Sequence, residues 1–216
     1  VHAFIDTQII AKAPSQYMWA GLGDTYAKYY EAEISSKGER LEHFTALGVA
    51  VSRMCRDPLL EYGEKALNDH INGHCTYEVE QAVLAIIVTT GIASIFLTKD
   101  FTPDYNSGLA HAVFYAMTVY PVIEEKHLHG EVVAFGVLIA LLVDHQDQEF
   151  ERIYSLNRAV HLPVSLEEIG ITREQWEECT KRIPQMSDVA HYPYRVTREM
   201  LNEAMEKLNR RRKQDE

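Results

Sequence analysis

Three residues, far apart in a chain of 216, are of the types that hold a divalent cation. Asp24 lies in Ala20-Gly21-Leu22-Gly23-Asp24, His111 in Ser107-Gly108-Leu109-Ala110-His111-Ala112, and His129 in His127-Leu128-His129-Gly130-Glu131. One carboxylate and two imidazoles, with a coordination position left open, suit a catalytic zinc or a ferrous ion. Taken singly, each also has an ordinary reading. An Asp after a glycine and ahead of a helical stretch is a common N-cap. A histidine among small apolar residues, as at His111, needs a partner to offset its desolvation. His129 opens an apolar helix just before a glycine, an unusual place for an imidazole unless it points at something. His2, His43, His70, His74, His145, His161 and His191 are scattered in polar or turn contexts and read as surface or core-edge residues.

The elements between these residues decide whether they can meet. On one continuous helix His111 and His129 would stand about five turns, roughly 27 Å, apart. Pro121 argues against a single helix, and a chain reversal between Pro121 and Lys126 lets two helices present both histidines to a common point, with Asp24 approaching from a third. Helical signals dominate from Pro14 onward. The first helix opens at Pro14-Ser15, is expected to break at Gly21-Leu22-Gly23, and resumes from Asp24 to about Ile34. After a Ser-Ser-Lys-Gly turn, Arg40 to Ile71 reads as helix divided near Asp57-Pro58. Thr76 caps a third helix whose apolar part, Ala82 to Leu97, is expected to be buried.

Ser107 to Tyr120 reads as a helix stopped by Pro121, Glu131 to Asp144 as an apolar helix, and Glu149 to Val160 as an amphipathic one. Ser165 and Glu168 form a capping box for a short helical turn ended by Gly170. Thr172 and Thr197 cap the last two helices. The fold class expected is all-α, a multi-helix bundle.

Composition narrows the function. Lys plus Arg number 21 against 32 Asp plus Glu, a net charge of −11, which disfavours nucleic acid and anionic lipid as partners. Arg210, Arg211, Arg212 and Lys213 read as a solvated helix end. Cys55, Cys75 and Cys179 form no Cys-x-x-Cys pair and no disulfide framework. Val1 to Pro14 lacks the pattern of a signal peptide, and the longest apolar run, Val132 to Val143, is short for a membrane span. A reduced, cytoplasmic protein with no membrane partner is expected. Val1 to Ile5 looks like a strand with no sheet to join, which suggests that residues 1–13 are a residual strand and linker from an absent upstream domain, and 14–216 a helical domain.

The run Asp6-Thr7-Gln8-Ile9-Ile10-Ala11-Lys12-Ala13-Pro14 joins the Asp24, His111 and His129 motifs as a set. His129-Gly130-Glu131-Val132-Val133-Ala134-Phe135-Gly136 and Leu162-Pro163-Val164-Ser165-Leu166-Glu167-Glu168-Ile169-Gly170 complete it. In this order they resemble the C-terminal helical half of glycerol dehydrogenase and its relatives in the iron-containing alcohol dehydrogenase family, a domain of dehydroquinate synthase-like type. The resemblance implies that Asp24, His111 and His129 are the three protein ligands of the metal. It also implies an NAD(P)-linked dehydrogenase of glycerol, other polyols or alcohols, in which the metal polarises the substrate hydroxyl for hydride transfer. NAD(P) would be held by the missing nucleotide-binding domain, so the isolated chain is expected to be inactive.

Iron-type members carry a fourth ligand, a His four residues after the Asp. Lys28 stands there, so the zinc-using branch is closer, with Zn2+ or Fe2+ both open. Phe114 and Tyr115 stand where many relatives have a further His, and would shape the substrate pocket. Family habit implies a homo-oligomer. A lyase of the dehydroquinate synthase type and a non-enzymatic helical interaction module with a vestigial site are the alternative readings.

Overall fold

The apolar run after His129 forms the axis of the molecule. In the computed structural model, which describes residues 4–98 and 105–215, α8 (His129–Val143) is buried at every position from Gly130 to Val143. A helix apolar on all sides must be surrounded. α2 (Ser15–Ser35), α6 (Leu109–Met117), α9 (Asp147–Val160) and α11 (Arg198–Arg212) do this. They contribute Leu22, Tyr26 and Tyr30, Val113, Ile153 and Tyr154, and Leu201 and Leu208 to one core. α3 (His43–Ile71) lies against α2 and α9. α1 (Thr7–Ile10), α7 (Pro121–Lys126) and α10 (Arg173–Arg182) complete the shell; Thr172 caps α10 as expected, and the structure adds a reciprocal box with Gln175. Thr76 and Thr197 also cap as expected. The described residues contain no strand, so the all-α class holds. Of the strand expected at Val1 to Ile5, residues 1–3 lie outside the described residues, and Phe4 and Ile5 do not form one.

Several boundaries differ from the sequence reading, each for a physical reason. α2 runs without a break through Gly21-Leu22-Gly23, because those glycines serve helix–helix contact rather than a turn. Asp24 is therefore mid-helix and not an N-cap. α3 continues through Pro58. The carbonyl that Pro58 leaves without its helical donor belongs to Met54, a residue 53% exposed. α6 ends at Met117, and Pro121 opens α7 at its first turn instead of closing α6. Ser165 Oγ accepts from Glu168 N at 3.2 Å, but the segment to Gly170 remains a set of turns, since Glu168 reaches back to Val164 N.

The segment 77–97 departs most from expectation. α4 (Tyr77–Val83), a π-helical turn (Leu84–Thr89) and α5 (Thr90–Leu97) form one continuous rod. It is long and apolar enough to cross a membrane by length and composition, but only 28% of its most apolar stretch is buried. One side packs on α3, while Ile87, Ile92 and Ile95 face outward. Apolar residues occur all round this rod, and among the described residues no second layer covers it. The basic C-terminal turn is also more engaged than a solvated end. Arg211 pairs with Glu151 and Asp215, and Arg212 with Glu167.

Two contacts bring the helices of interest unusually close. A Cβ placed on Gly130 would lie 2.1 Å from Ala20 O, and one on Gly23 would lie 2.3 Å from Gly130 O. α2 and α8 therefore touch backbone to backbone just beside Asp24 and His129. In the same way a Cβ on Gly136 would lie 2.4 Å from Ala110 O, which seats α6 on α8 beside His111.

A charged cluster closes the α2–α3–α9 junction. Glu149 accepts from Tyr30 Oη at 2.6 Å, Arg152 Nη1 at 2.8 Å and Arg56 Nη1 at 3.1 Å. Burial alone would raise the Glu149 pKa, but the Tyr30 and Arg152 hydrogen bonds and the Arg56 charge hold it below the ordinary value. A carboxyl depressed in the folded state stabilises above its unfolded pKa of about 4.3, and that contribution fades as pH falls through the lower folded value. Glu149→Gln is therefore expected to lose stability at neutral pH and to show a shallower acid decline than the parent below about pH 5. Urea midpoints measured from pH 7 to 3 check this.

Candidate metal centre

The packing of α2, α6 and α8 brings Asp24, His111 and His129 together. Their ligand atoms all lie within 4.8 Å of one another. Asp24 Oδ1 is 3.4 Å from His111 Nε2 and 3.3 Å from His129 Nε2. Donors bound to a tetrahedral zinc at ~2.0–2.1 Å stand ~3.3–3.4 Å apart, so these two spacings are those of a tetrahedron's edges. The donor set fits a divalent cation with a remaining position for an exogenous ligand.

Depth differs across the cluster. The His111 side chain is 9% exposed, whereas those of Asp24 and His129 are 38% and 42% exposed, so the group opens on one side. Burial alone would raise the Asp24 carboxyl, but hydrogen bonds from His111 and His129 and their charges hold it far below the usual carboxylate range. Burial alone would lower His111, yet the charge of Glu31 and the Asp24 and Glu31 hydrogen bonds push it up to about 10.

Glu31, which the sequence reading missed, stands behind His111. It is fully buried on α2, two turns beyond Asp24. Its Oε2 lies 2.7 Å from His111 Nδ1, and its Oε1 accepts from Gly108 N at 2.9 Å and His111 N at 3.0 Å. The signal was present in the sequence, because positions 24 and 31 share one helical face. Lys28, between them, directs its ammonium to Asn106 O at 2.8 Å and Asn106 Oδ1 at 2.9 Å, and so ties the segment before α6 to α2.

Phe114 and Tyr115 lie at the same centre. The Phe114 ring meets the His129 ring edge-on with centroids 4.4 Å apart, and the Tyr115 ring centroid is 6.2 Å from that of His111. Tyr115 is 44% exposed, on the open side. Of the histidines expected at the surface or core edge, His70 is buried. His70 Nε2 meets Ile10 O at 3.0 Å, His191 pairs with Glu39, and His145 and His161 hold positive-φ turn positions.

No family model matches the chain. Among curated proteins it is 33% identical over 209 residues to hydroxycarboxylate dehydrogenase A of Escherichia coli (strain K12), covering 94% of this chain and 56% of that protein. It is 36% identical over 186 residues to glycerol dehydrogenase of Thermotoga maritima, covering 82% and 48%. The crystal structure of glycerol dehydrogenase from Schizosaccharomyces pombe superposes with a TM-score of 0.79 at 25% identity, over 96% of this chain and 53% of that one. The chain thus spans about half the length of the curated relatives it matches. The all-helical fold of this chain superposes on the matched half of these relatives, and the chain belongs to the glycerol dehydrogenase-like members of the iron-containing alcohol dehydrogenase family, corresponding to their C-terminal half.

Proposed function

We propose that this chain is the metal-binding catalytic half of an NAD(P)-linked dehydrogenase acting on glycerol-like polyols or other small alcohols, and on the matching carbonyl compounds in reverse. The observation that carries the reading is the convergence of Asp24, His111 and His129 at the spacing of metal ligands. The relatives' names, glycerol dehydrogenase and hydroxycarboxylate dehydrogenase, support small hydroxylated substrates. In this reading residues 14–216 form the metal domain, residues 1–13 lead into it, and NAD(P) binds to a nucleotide-binding domain outside this chain.

Asp24, His111 and His129 would hold Zn2+ or Fe2+. When bound, the cation supplies a Lewis acid that lowers the pKa of a substrate hydroxyl and polarises a carbonyl in the reverse direction. Asp24 contributes the one anionic donor and His129 the most exposed one, so substrate approaches from the His129 side. Phe114 and Tyr115 form an aromatic wall there, which favours the carbon skeleton of a small substrate and excludes water from the reacting carbon.

The test is reduction of NAD(P)+ by glycerol and other small alcohols, polyols and hydroxy acids, using the full-length protein to which this chain belongs, before and after removal of metal with a chelator. Turnover lost on chelation and restored by zinc or iron is expected, with none from the 216-residue chain alone. Chelator-insensitive turnover, or none with any such substrate, would refute the proposal.

A further inference from the structure

Glu31 makes three polar contacts from a fully buried position, and all three go to one short stretch of chain. Each partner acts as a donor. Gly108 N and His111 N point at Oε1, and a carboxylate offers acceptors only, so His111 Nδ1 must carry its proton toward Oε2. That leaves Nε2, 3.4 Å from Asp24 Oδ1, as the nitrogen facing the metal site. Gly108 makes room for this arrangement, because a Cβ there would come within 3.2 Å of Glu31 Cγ and 3.1 Å of the Tyr192 ring. Tyr192 Oη accepts from Leu109 N at 3.2 Å and supports the same helix start without reaching His111 Nδ1.

We infer that Glu31 is a positioning residue for the metal centre: it fixes the His111 tautomer and ring orientation so that Nε2 is presented to the cation, and anchors the start of α6 at the same time. The inference rests on the metal-site reading above. Outer partners of this kind orient a ligating imidazole and raise its basicity. Glu31→Gln makes the distinction sharp. The new side chain has the same shape, and its single amide oxygen can serve Gly108 N and His111 N. Its NH2 group then faces His111 Nδ1, which must become the acceptor, and the ring proton moves to Nε2, where it blocks ligation.

The experiment is Zn2+ affinity by chelator competition, with Zn2+ as the only added ligand, on the 216-residue chain and its Glu31→Gln, Tyr192→Phe and His111→Ala variants. Glu31→Gln is expected to weaken Zn2+ binding by about 10–100-fold. Tyr192→Phe, which loosens the same helix start, is expected to lower the melting temperature and leave Zn2+ affinity within about threefold, below the range typical of a lost ligand support. Parent-like affinity in Glu31→Gln, or equal losses in Glu31→Gln and Tyr192→Phe, would overturn the inference. Equal Zn2+ binding by the parent and His111→Ala would instead overturn the metal site itself, and the role of Glu31 with it. A measurement on the parent removes dependence on the variant's folding. Long-range 1H–15N spectra of the Zn2+-loaded chain should show His111 Nδ1 protonated and Nε2 metal-bound, and the opposite pattern would refute the assignment.

Discussion

Asp24→Asn should strip the centre of metal while leaving the helices in place. Asp24 is the shared corner of the cluster, with Oδ1 at 3.4 Å from one imidazole nitrogen and 3.3 Å from the other. It is also the only one of the three donors that brings a negative charge. Asparagine keeps the shape and removes that charge, so the remaining donors are two neutral imidazoles and a weak amide oxygen. The loss in Zn2+ affinity should exceed the ~10–100-fold that follows from disturbing an outer partner. Because the Asp24 side chain is 38% exposed, the uncharged replacement leaves no buried charge unpaired except through His111, which keeps Glu31. Far-UV circular dichroism of the variant should therefore match the parent. Chelator competition checks the affinity, and parent-like zinc binding in Asp24→Asn would remove Asp24 from the ligand set.

Gly130→Ala should damage both the fold and the centre. The added methyl would stand 2.1 Å from Ala20 O, 2.9 Å from Ala20 C and 3.0 Å from Asp24 Cβ. Two of these atoms are backbone, so no rotamer change relieves the clash and α2 must move away from α8. Overpacking of this kind costs about 1–3 kcal/mol, sometimes more. At this chain length each kcal/mol corresponds to about 2–4 °C in melting temperature. The same movement separates Asp24 on α2 from His129 on α8, so metal affinity should fall together with stability. Gly91→Ala is the control. Nothing lies within 4 Å of a Cβ there, and the residue is inside a helical rod, so the substitution should stabilise by up to about 1 kcal/mol. Thermal melts and zinc titrations of both variants read the two effects, and an unperturbed Gly130→Ala would contradict the backbone contact.

The grouping of Asp24, His111 and His129, which the fold brings together, had signals in the sequence: a histidine among small apolar residues, a histidine ahead of Gly130, and Pro121 arguing against one helix between them, while the resemblance to the dehydrogenase family implied their use as a set. Glu31 was not read, although it shares the face of Asp24, because in Tyr29-Tyr30-Glu31-Ala32-Glu33 it looks like any acid on a helix surface. Only the folded chain shows α6 starting against it. The glycines near Asp24 were read as a break, since local propensity disfavours glycine in helices. Their use depends on partners remote in the chain: Gly23 approaches α8 at Gly130, and Gly21 meets Ile86 of the 77–97 rod. The exposure of Ile87, Ile92 and Ile95 was equally hidden, because apolarity along 77–97 says that the rod seeks cover and not how much α3 provides.

Metal content tests the central claim most directly. Elemental analysis of the purified chain after growth with zinc and iron, beside a His111→Ala, His129→Ala double variant, should find near-stoichiometric zinc or iron in the parent and a background level in the variant. Equal metal in both, or none in the parent after reconstitution with either ion, would contradict the assignment of Asp24, His111 and His129 as a metal centre held by this chain.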